Sequence, residues 1–570
     1  MPINYISNSD VRYNTLKKGF NLRWPDKDNS VLGIYICSNE QEVLDAANKA
    51  AYEGKRITVR SGGHCYEGFV SNNNFEGNSK VQDTVIIDIG AMTGVYYDEI
   101  GFISKYETNK KIKNIYKFQV SAGNQNWDSY VNLYKLSGKT IPGGSCYSVG
   151  LGGHITGGGY GLLSRKQGLT VDWLAGIDIL VPNDNCFKVI HVSKRSQDDN
   201  HKRLFKACCG AGGGNFGIIL NYYFDDLPDA PSTAAFVKLT YKWDQIPDQI
   251  ALQKFLDAYL GWFKQNDQYW NDEDEQKCNG GLFTLLKLHH KSAGDIELVI
   301  QYTGKDGTYK KGINDAPLLD FIHTMQHAAN KNLVTYQSAH IPTLHGPLAP
   351  QADCIPLNDF YDENLNLVDP PIQCMDWLYL TQTLNGSGDN QYGKYKSVYQ
   401  KSALPLVSVT NIYESLTGNI NKSYVAQSVV QIDSYGGCIN QADKNQETSV
   451  YQRASLLKWQ FQNYWKDPDI AEHCIDWIHA IYSGCFSIYG SKPYEKYNGK
   501  ETPFQGCYIN YPDVDMKYIG NIKKEIDPNW LILYYGEHIA KELIEVKNIF
   551  DKNNVFRHEM SIPLTNPQPE

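Results

Sequence analysis

The sequence predicts an α+β fold: α/β units at the amino-terminal end, then a larger inserted region that mixes strands with amphipathic helices. Three observations carry this. Asn29 to Val59 reads strand, helix, strand. Ten of the 28 residues from 141 to 168 are Gly. From 226 to 500, short apolar strand runs alternate with helical patterns.

In chain order, VLGIYIC is a short β-branched strand run. Ser38 and Asn39 are placed to cap the helix EQEVLDAANKAAYEG, which ends at Gly54. KRITVR is the next strand, Val85–Ile89 and Phe118–Val120 are further strands, and Asp128–Leu136 is a helix. The glycine-dense stretch IPGGSCYSVGLGGHITGGGYGLLSRKQG follows. Glycine is entropically costly, so such density marks backbone that approaches something closely or adopts positive φ. VDWLAGIDILVP then reads as a buried strand, and GAGGGNFGIILNYYF as a second glycine cluster entering a strand. In the inserted region, QIALQKFLDAYLGWFKQ and QRASLLKWQFQNYW read as amphipathic helices. Near the end, DPNWLILYYG reads as strand or coil and EHIAKELIEVKNIFDKNNVF as helix. The division expected is 1–225, 226–500 and a returning segment 501–570.

The 570 residues correspond to two to four units at ~100–200 residues each. A hydrophobic content of 42% against 21% charged residues excludes a largely disordered chain. The net charge of −9 offers no field for a phosphate backbone, so no nucleic-acid partner is expected. No apolar run reaches the ~18 residues of a membrane span, so no membrane partner is expected either. MPINYISNSDVRYN lacks a charged segment followed by an apolar run, so a cytoplasmic location is expected, with secretion by another route left open. The 13 Cys are odd in number, scattered and without a CxxC pair, so neither a zinc ribbon nor a thioredoxin motif is present. Forty Tyr and 11 Trp suit surfaces that stack on sugar rings, and equally suit sheet packing.

Three motif readings fail. Gly150, Gly152 and Gly153 approach a dinucleotide fingerprint but follow no clear strand. GDNQYGKY at 388–395 nearly matches a phosphate loop, yet Tyr395 replaces the Ser or Thr that would hold Mg²⁺. His289 and His290 are adjacent and so do not converge on one metal ion; no metal site is expected. What remains is RSGGHCYEGF at 60–69 and GGSCYSVGLGGH at 143–154. His64 and Cys146 are one nucleophilic imidazole and one nucleophilic thiol, each in a glycine-rich loop whose small neighbours leave room for a flat ring.

These segments, with KKGFNLRW, GGGNFGII, TLNGSGDNQYGKYKS, GCYINYPDVD and VFRHEMSIP, resemble the berberine-bridge-enzyme-like branch of the vanillyl-alcohol-oxidase flavoproteins. Within that branch the chain is most similar to carbohydrate oxidases of the hexose-oxidase kind. The resemblance spans residues 17 to 563. It implies an FAD-binding domain of the PCMH type built from two α/β subdomains, and a substrate domain with a sheet backed by helices. It also implies FAD held by two covalent bonds, from His64 to the 8α-methyl and from Cys146 to C6 of the ring. The implied cofactor contacts are Arg60, Ser61, Gly62, Gly63 and Tyr66 around the histidine, and Gly144, Ser145 and Val149 around the cysteine. Gly150, Gly153, His154, Gly157, Gly158 and Gly161 follow, their N–H groups reaching the pyrophosphate. Asn215, Gly217 and Ile218 come from the second glycine cluster and Asn510 from the carboxy-terminal motif.

The same resemblance makes Tyr511 the base that takes the substrate's hydroxyl proton. A tyrosine near pKa ~10 serves only if a positive neighbour or hydrogen-bond donor assists it. Tyr508 stands as second candidate, because Tyr508 and Asn510 share a strand face and Tyr511 would point the other way unless a bulge or Pro512 ends the strand there. Asp513 and Asp515 read as structural or substrate-binding. Gln431 matches a sugar-contacting position, with Asp433 its same-face neighbour. Tyr66, Tyr147, Trp377 and Tyr379 are stacking partners or core. The tail departs from the family at Glu537-His538 and at Met560. The activity implied is oxidation of a sugar or related alcohol, a sugar hydroxyl to a lactone, with O₂ as acceptor and H₂O₂ as product. A tailoring oxidase of a secondary metabolite and a sugar-binding protein with vestigial flavin are the rivals.

Overall fold

The computed structural model describes residues 4–26, 31–73, 83–108, 115–184, 186–329, 372–384, 386, 389–441, 447–521 and 525–565. Asn385, Ser387 and Gly388 of the TLNGSGDNQYGKYKS motif lie outside the described residues, as does Cys354.

The first sheet holds β1 (Asn4–Ser7), β2 (Gly33–Ile36), β3 (Arg56–Arg60) and β4 (Thr84–Asp88) in the order β1-β2-β4-β3. β2, β4 and β3 run parallel, and β1 is antiparallel to β2. The crossover helix Glu40–Tyr52 starts where expected: Asn39 accepts from the Glu42 N–H, while Glu42 accepts from the N–H and hydroxyl of Ser38. Its Val43, Ala46, Ala47 and Ala50 are buried in the main core. The parallel arrangement places the C-terminal end of β3 at a loop mouth, and that loop carries His64.

The second sheet is antiparallel: β5 (Val95–Phe102), β6 (Tyr116–Ser121), β7 (Leu174–Asn183), β8 (Cys186–Ser193) and β9 (Ile218–Phe224), ordered β5-β6-β9-β7-β8. β7 is buried over eight of its ten residues, in keeping with its near-continuous apolar run. The glycine-dense segment lies between the two sheets and contains the short helix Leu151–Thr156, which starts at Gly150.

The third sheet has seven antiparallel strands: β10 (Thr233–Tyr241), β11 (Phe283–His289), β12 (Ile296–Tyr302), β13 (Gln373–Asp376), β14 (Tyr392–Gln400), β15 (Val429–Ser434) and β16 (Leu457–Trp465). Their order is β13-β10-β12-β11-β15-β16-β14. The helices Gln249–Asn266, Leu406–Thr417 and Ala471–Cys485 back one face, and the other face closes the cavity described below.

Three expectations are corrected. QRASLLKWQFQNYW is not a helix but leads into β16. Lys458, Gln460, Gln462 and Tyr464 alternate with Trp459, Phe461 and Trp465, a period of two. Both faces are buried, so large apolar residues recur at spacings that imitate a helix. DPNWLILYYG is not strand or coil: helix runs from Trp530 to Phe550 and is broken at Gly536, whose φ is 63°. A Cβ there would meet the Tyr451 ring. Finally, GCYINYPDVD forms no strand. The Tyr511 N–H donates to the Tyr508 carbonyl at 3.0 Å, so the chain turns and brings Tyr508, Asn510 and Tyr511 to the same cavity.

Candidate active site

A cavity of about 630 Å³ lies between the glycine-rich loops and the open face of the third sheet. That volume is within the range of small-molecule and cofactor sites. Of the sequence-predicted cofactor contacts, only Gly157 and Gly158 do not line it. Gly157 instead makes room for Asn510: a Cβ on it would stand 2.1 Å from Asn510 Oδ1. Asn510 Nδ2 donates to the His154 carbonyl and to Tyr508 Oη. Gly158, at φ 127°, packs near Val450 and Leu169. Of the four candidate stacking aromatics, Tyr66 alone lines the cavity, stacked on Tyr395 at 3.8 Å. Trp377 is core.

His64 stacks on Phe20 at 3.7 Å, and its Nε2 is 3.0 Å from Ser148 Oγ. Burial pushes its pKa down to about 4, so the imidazole is neutral and its nitrogen lone pair available. Cys146 is held by its surroundings. Asn126 Nδ2 donates to the carbonyls of Gly144 and Cys146, the Tyr130 hydroxyl donates to the Gly144 carbonyl, and the Gly144 N–H donates to His154 Nε2 at 2.9 Å. Burial raises the Cys146 thiol, opposed by the Gly386 backbone, Ser145, Lys458 and Lys287.

Glycine does two jobs here. At Gly62 and Gly161 it permits backbone contact: a Cβ would lie 2.2 Å from the Gly150 nitrogen or 1.6 Å from the Gly143 oxygen. At Gly153 it leaves bare backbone facing the cavity, with nothing within 4 Å of a built Cβ. Gly213 is similar, its nearest neighbour 3.6 Å away. Asn215 ties this floor to the carboxy-terminal segment, accepting from the Ile562 N–H at 2.9 Å. A bare-backbone floor, a neutral imidazole and a thiol in one cavity fit an isoalloxazine ring with its pyrophosphate. The departures in the tail fall away from this cavity: His538 is exposed, and Met560 is buried in the core.

The opposite wall is the face of β11, β15 and β16. Gln431 donates to Asp433 at 2.8 Å, Gln460 donates to the other oxygen of Asp433 at 2.8 Å, and Gln462 donates to Gln460. Lys458, which sequence reasoning missed, pairs with Asp433 at 3.2 Å and donates to Tyr511 Oη at 3.5 Å. Burial pulls its pKa down to about 8, against the pull of Asp433. Burial also drives Tyr511 well above its ordinary value and Tyr508 up to about 12. The strand alternation Lys458-x-Gln460-x-Gln462-x-Tyr464 was the signal that could have exposed this wall.

Beneath Tyr66 and Tyr511 lies a buried charge lattice. Lys394 Nζ contacts Glu67 at 2.5 Å, Asp513 at 2.8 Å and Asp515 at 3.0 Å; Lys396 contacts Asp513 at 2.6 Å and Asp515 at 2.9 Å. His479 reaches Asp515 at 2.7 Å. Asp513 and Asp515 are therefore structural, and Lys394 of the near phosphate-loop motif is a lattice cation on β14. His289 faces the cavity, whereas His290 is buried and bonds Ser292. Among the described residues no cluster of His, Cys, Asp or Glu is placed to hold a metal ion, and no helix is long and apolar enough to cross a membrane.

Fold and site together define an FAD-dependent oxidoreductase of the vanillyl-alcohol-oxidase kind. Family models described as "FAD binding domain" and "Berberine and berberine like" match residues 31–189 and 507–563. Hexose oxidase of Chondrus crispus is 32% identical over 97% of this chain and 94% of its own. Aclacinomycin-N/aclacinomycin-A oxidase of Streptomyces galilaeus is 28% identical over 98% and 89%. The crystal structure of the glycopeptide hexose oxidase DBV29 with teicoplanin superposes with a TM-score of 0.77 at 26% identity, covering 99% of both chains. The chain belongs to the berberine-bridge-like family of FAD-linked oxidases.

Proposed function

We propose that the protein oxidises the anomeric hydroxyl of a mono- or oligosaccharide to a lactone, with FAD bound covalently through His64 and Cys146. The observation that carries this is the convergence on one cavity of His64 and Cys146 with Tyr511 and the polar wall of Gln431, Asp433 and Gln460. FAD held there would supply the chemistry of hydride acceptance and of electron transfer to O₂, with H₂O₂ as the expected product.

The chain's own residues do the rest. Gln431 and Gln460, each anchored on Asp433, present amide groups to sugar hydroxyls. Tyr511 Oη takes the proton of the reacting hydroxyl. The Lys458 ammonium beside it holds Tyr511 as the phenolate that accepts this proton and becomes the phenol, offsetting the burial that otherwise opposes ionisation. Tyr66 and Tyr395 give the ring a flat apolar flank. Val149 lines the cavity three residues after Cys146, where a small side chain leaves O₂ a path.

The test has two readings. Acid-precipitated protein should carry its yellow colour in the pellet, and His64→Ala or Cys146→Ala should each leave one bond. A screen of reducing sugars and alcohols followed by H₂O₂ should show turnover of at least one reducing sugar with an aldonolactone as product. A yellow supernatant defeats the covalent assignment. Turnover of a glycosylated metabolite but of no reducing sugar transfers the protein to the tailoring class.

A further inference from the structure

The sugar-facing wall carries one cation for which the chemistry above has no use. Lys287 lies on β11, directly across from Gln431 on β15, and its side chain lines the cavity. The charges near it are already matched. Glu297 pairs with Lys238 at 2.9 Å and Asp433 with Lys458 at 3.2 Å. The cavity's two arginines are also engaged, Arg60 with Asp88 and Arg557 with the Asn554 carbonyl. Among the described residues, Lys287 is the one lysine or arginine lining the cavity with neither a hydrogen bond nor an ion pair. Burial depresses its pKa, the behaviour of an ammonium short of compensating negative charge. Three N–H donors thus face the cavity beside the Gln431 amide.

A neutral sugar offers that ammonium only hydroxyls. A carboxylate or sulfate ester offers the opposite charge and charge-assisted hydrogen bonds, about twice as strong as neutral ones. We propose that Lys287 is a specificity-determining residue that binds the anionic substituent of an acidic sugar, selecting uronic or sulfated sugars over their neutral counterparts. This rests on reading the cavity as a sugar-oxidising site.

The test measures kcat/KM, from H₂O₂ release, for glucose, galactose, glucuronate, galacturonate and a galactose sulfate. Wild-type protein should prefer at least one acid to its neutral parent, and that preference should shrink as salt is added. Lys287→Met should lower the acid-to-neutral ratio about 10–100-fold, chiefly through KM, the worth of a hydrogen bond to a charged group. Lys287→Arg should restore most of it. The acid whose ratio collapses identifies carboxylate or sulfate as the group bound. Equal ratios in wild type and Lys287→Met, or a salt-independent ratio, would overturn the proposal while leaving sugar oxidation intact. Absence of H₂O₂ from every sugar in flavin-loaded protein would overturn the broader reading and this one with it.

Discussion

The floor and the wall of the cavity are built by opposite means. The floor is backbone: Gly62, Gly153, Gly161 and Gly213 give up side chains so that N–H groups and peptide planes form the surface. The wall is side chain: Gln431, Asp433, Gln460 and Gln462 stand out from a regular sheet in a hydrogen-bonded chain. A backbone surface recognises what every member of a family shares, since it has no side chain to vary. A strand face changes its chemistry by single substitutions while the ladder beneath stays fixed. On the proposed reading, the floor would hold the shared cofactor and the wall the individual substrate.

The largest effect should come from Tyr511, in the turn beside the wall. Tyr511→Phe should slow substrate oxidation by ~10²–10⁴-fold in rapid-mixing experiments while leaving flavin content unchanged, the usual worth of a positioned base. Near-normal rates would move the role to Tyr508. In the wild type the rate should fall as pH rises through about 8, where Lys458 loses its proton, and Lys458→Met should abolish that limb.

Acid should act on the floor instead. His154 accepts from the Gly144 N–H, and burial depresses its pKa from 6.5 to about 4. The unfolded chain takes up a proton below about 6.5 that the native state refuses. The stability from neutral His154 is therefore whole above pH 6.5 and drains away as pH falls towards 4. The full loss is about 3 kcal/mol. Buried His64 and His558 add to the same slope, so melting temperatures should fall with acid, and His154→Gln, which keeps an acceptor, should remove the His154 share and leave the rest.

The smallest effect separates the two kinds of floor glycine. Gly161→Ala forces a Cβ into the Gly143 carbonyl and should cost about 1–3 kcal/mol in the apo-protein. Gly153→Ala meets nothing in the polypeptide, so the apo-protein should melt as wild type yet bind less flavin. Full flavin loading of the Gly153 variant would show that this backbone is not a cofactor surface.

The sequence displayed the floor more openly than the wall. Ten glycines in 28 residues have few bland explanations, and His64 and Cys146 stand inside two such runs. Lys458 and Lys287 stayed hidden because a lysine on a strand reads as solvated. Only the seven-stranded pairing turns both of them inward. In β16 the polar Lys458, Gln460 and Gln462 alternate with Trp459 and Phe461 at the period of a strand, but the flanking pairs Leu456–Leu457 and Tyr464–Trp465 blur that alternation into a helix-like spacing. The turn at Tyr508–Tyr511 is closed by one backbone hydrogen bond just before Pro512, a residue type that ends a strand without fixing which side chains then converge.

The charge lattice sets an order of events for the growing chain. Lys394 and Lys396 find their carboxylates in Glu67, made early, and in Asp513 and Asp515, made close to the end of synthesis. Without Asp513 and Asp515, Lys394 keeps Glu67 as its lattice partner while Lys396 keeps no lattice carboxylate among the described residues, and burying an uncompensated charge costs several kcal/mol. Closing the third sheet over the cavity should therefore be favourable only with the last tenth of the polypeptide in place. A chain truncated before Cys507 should leave Lys394 and Lys396 hydrated and the cavity open on that side.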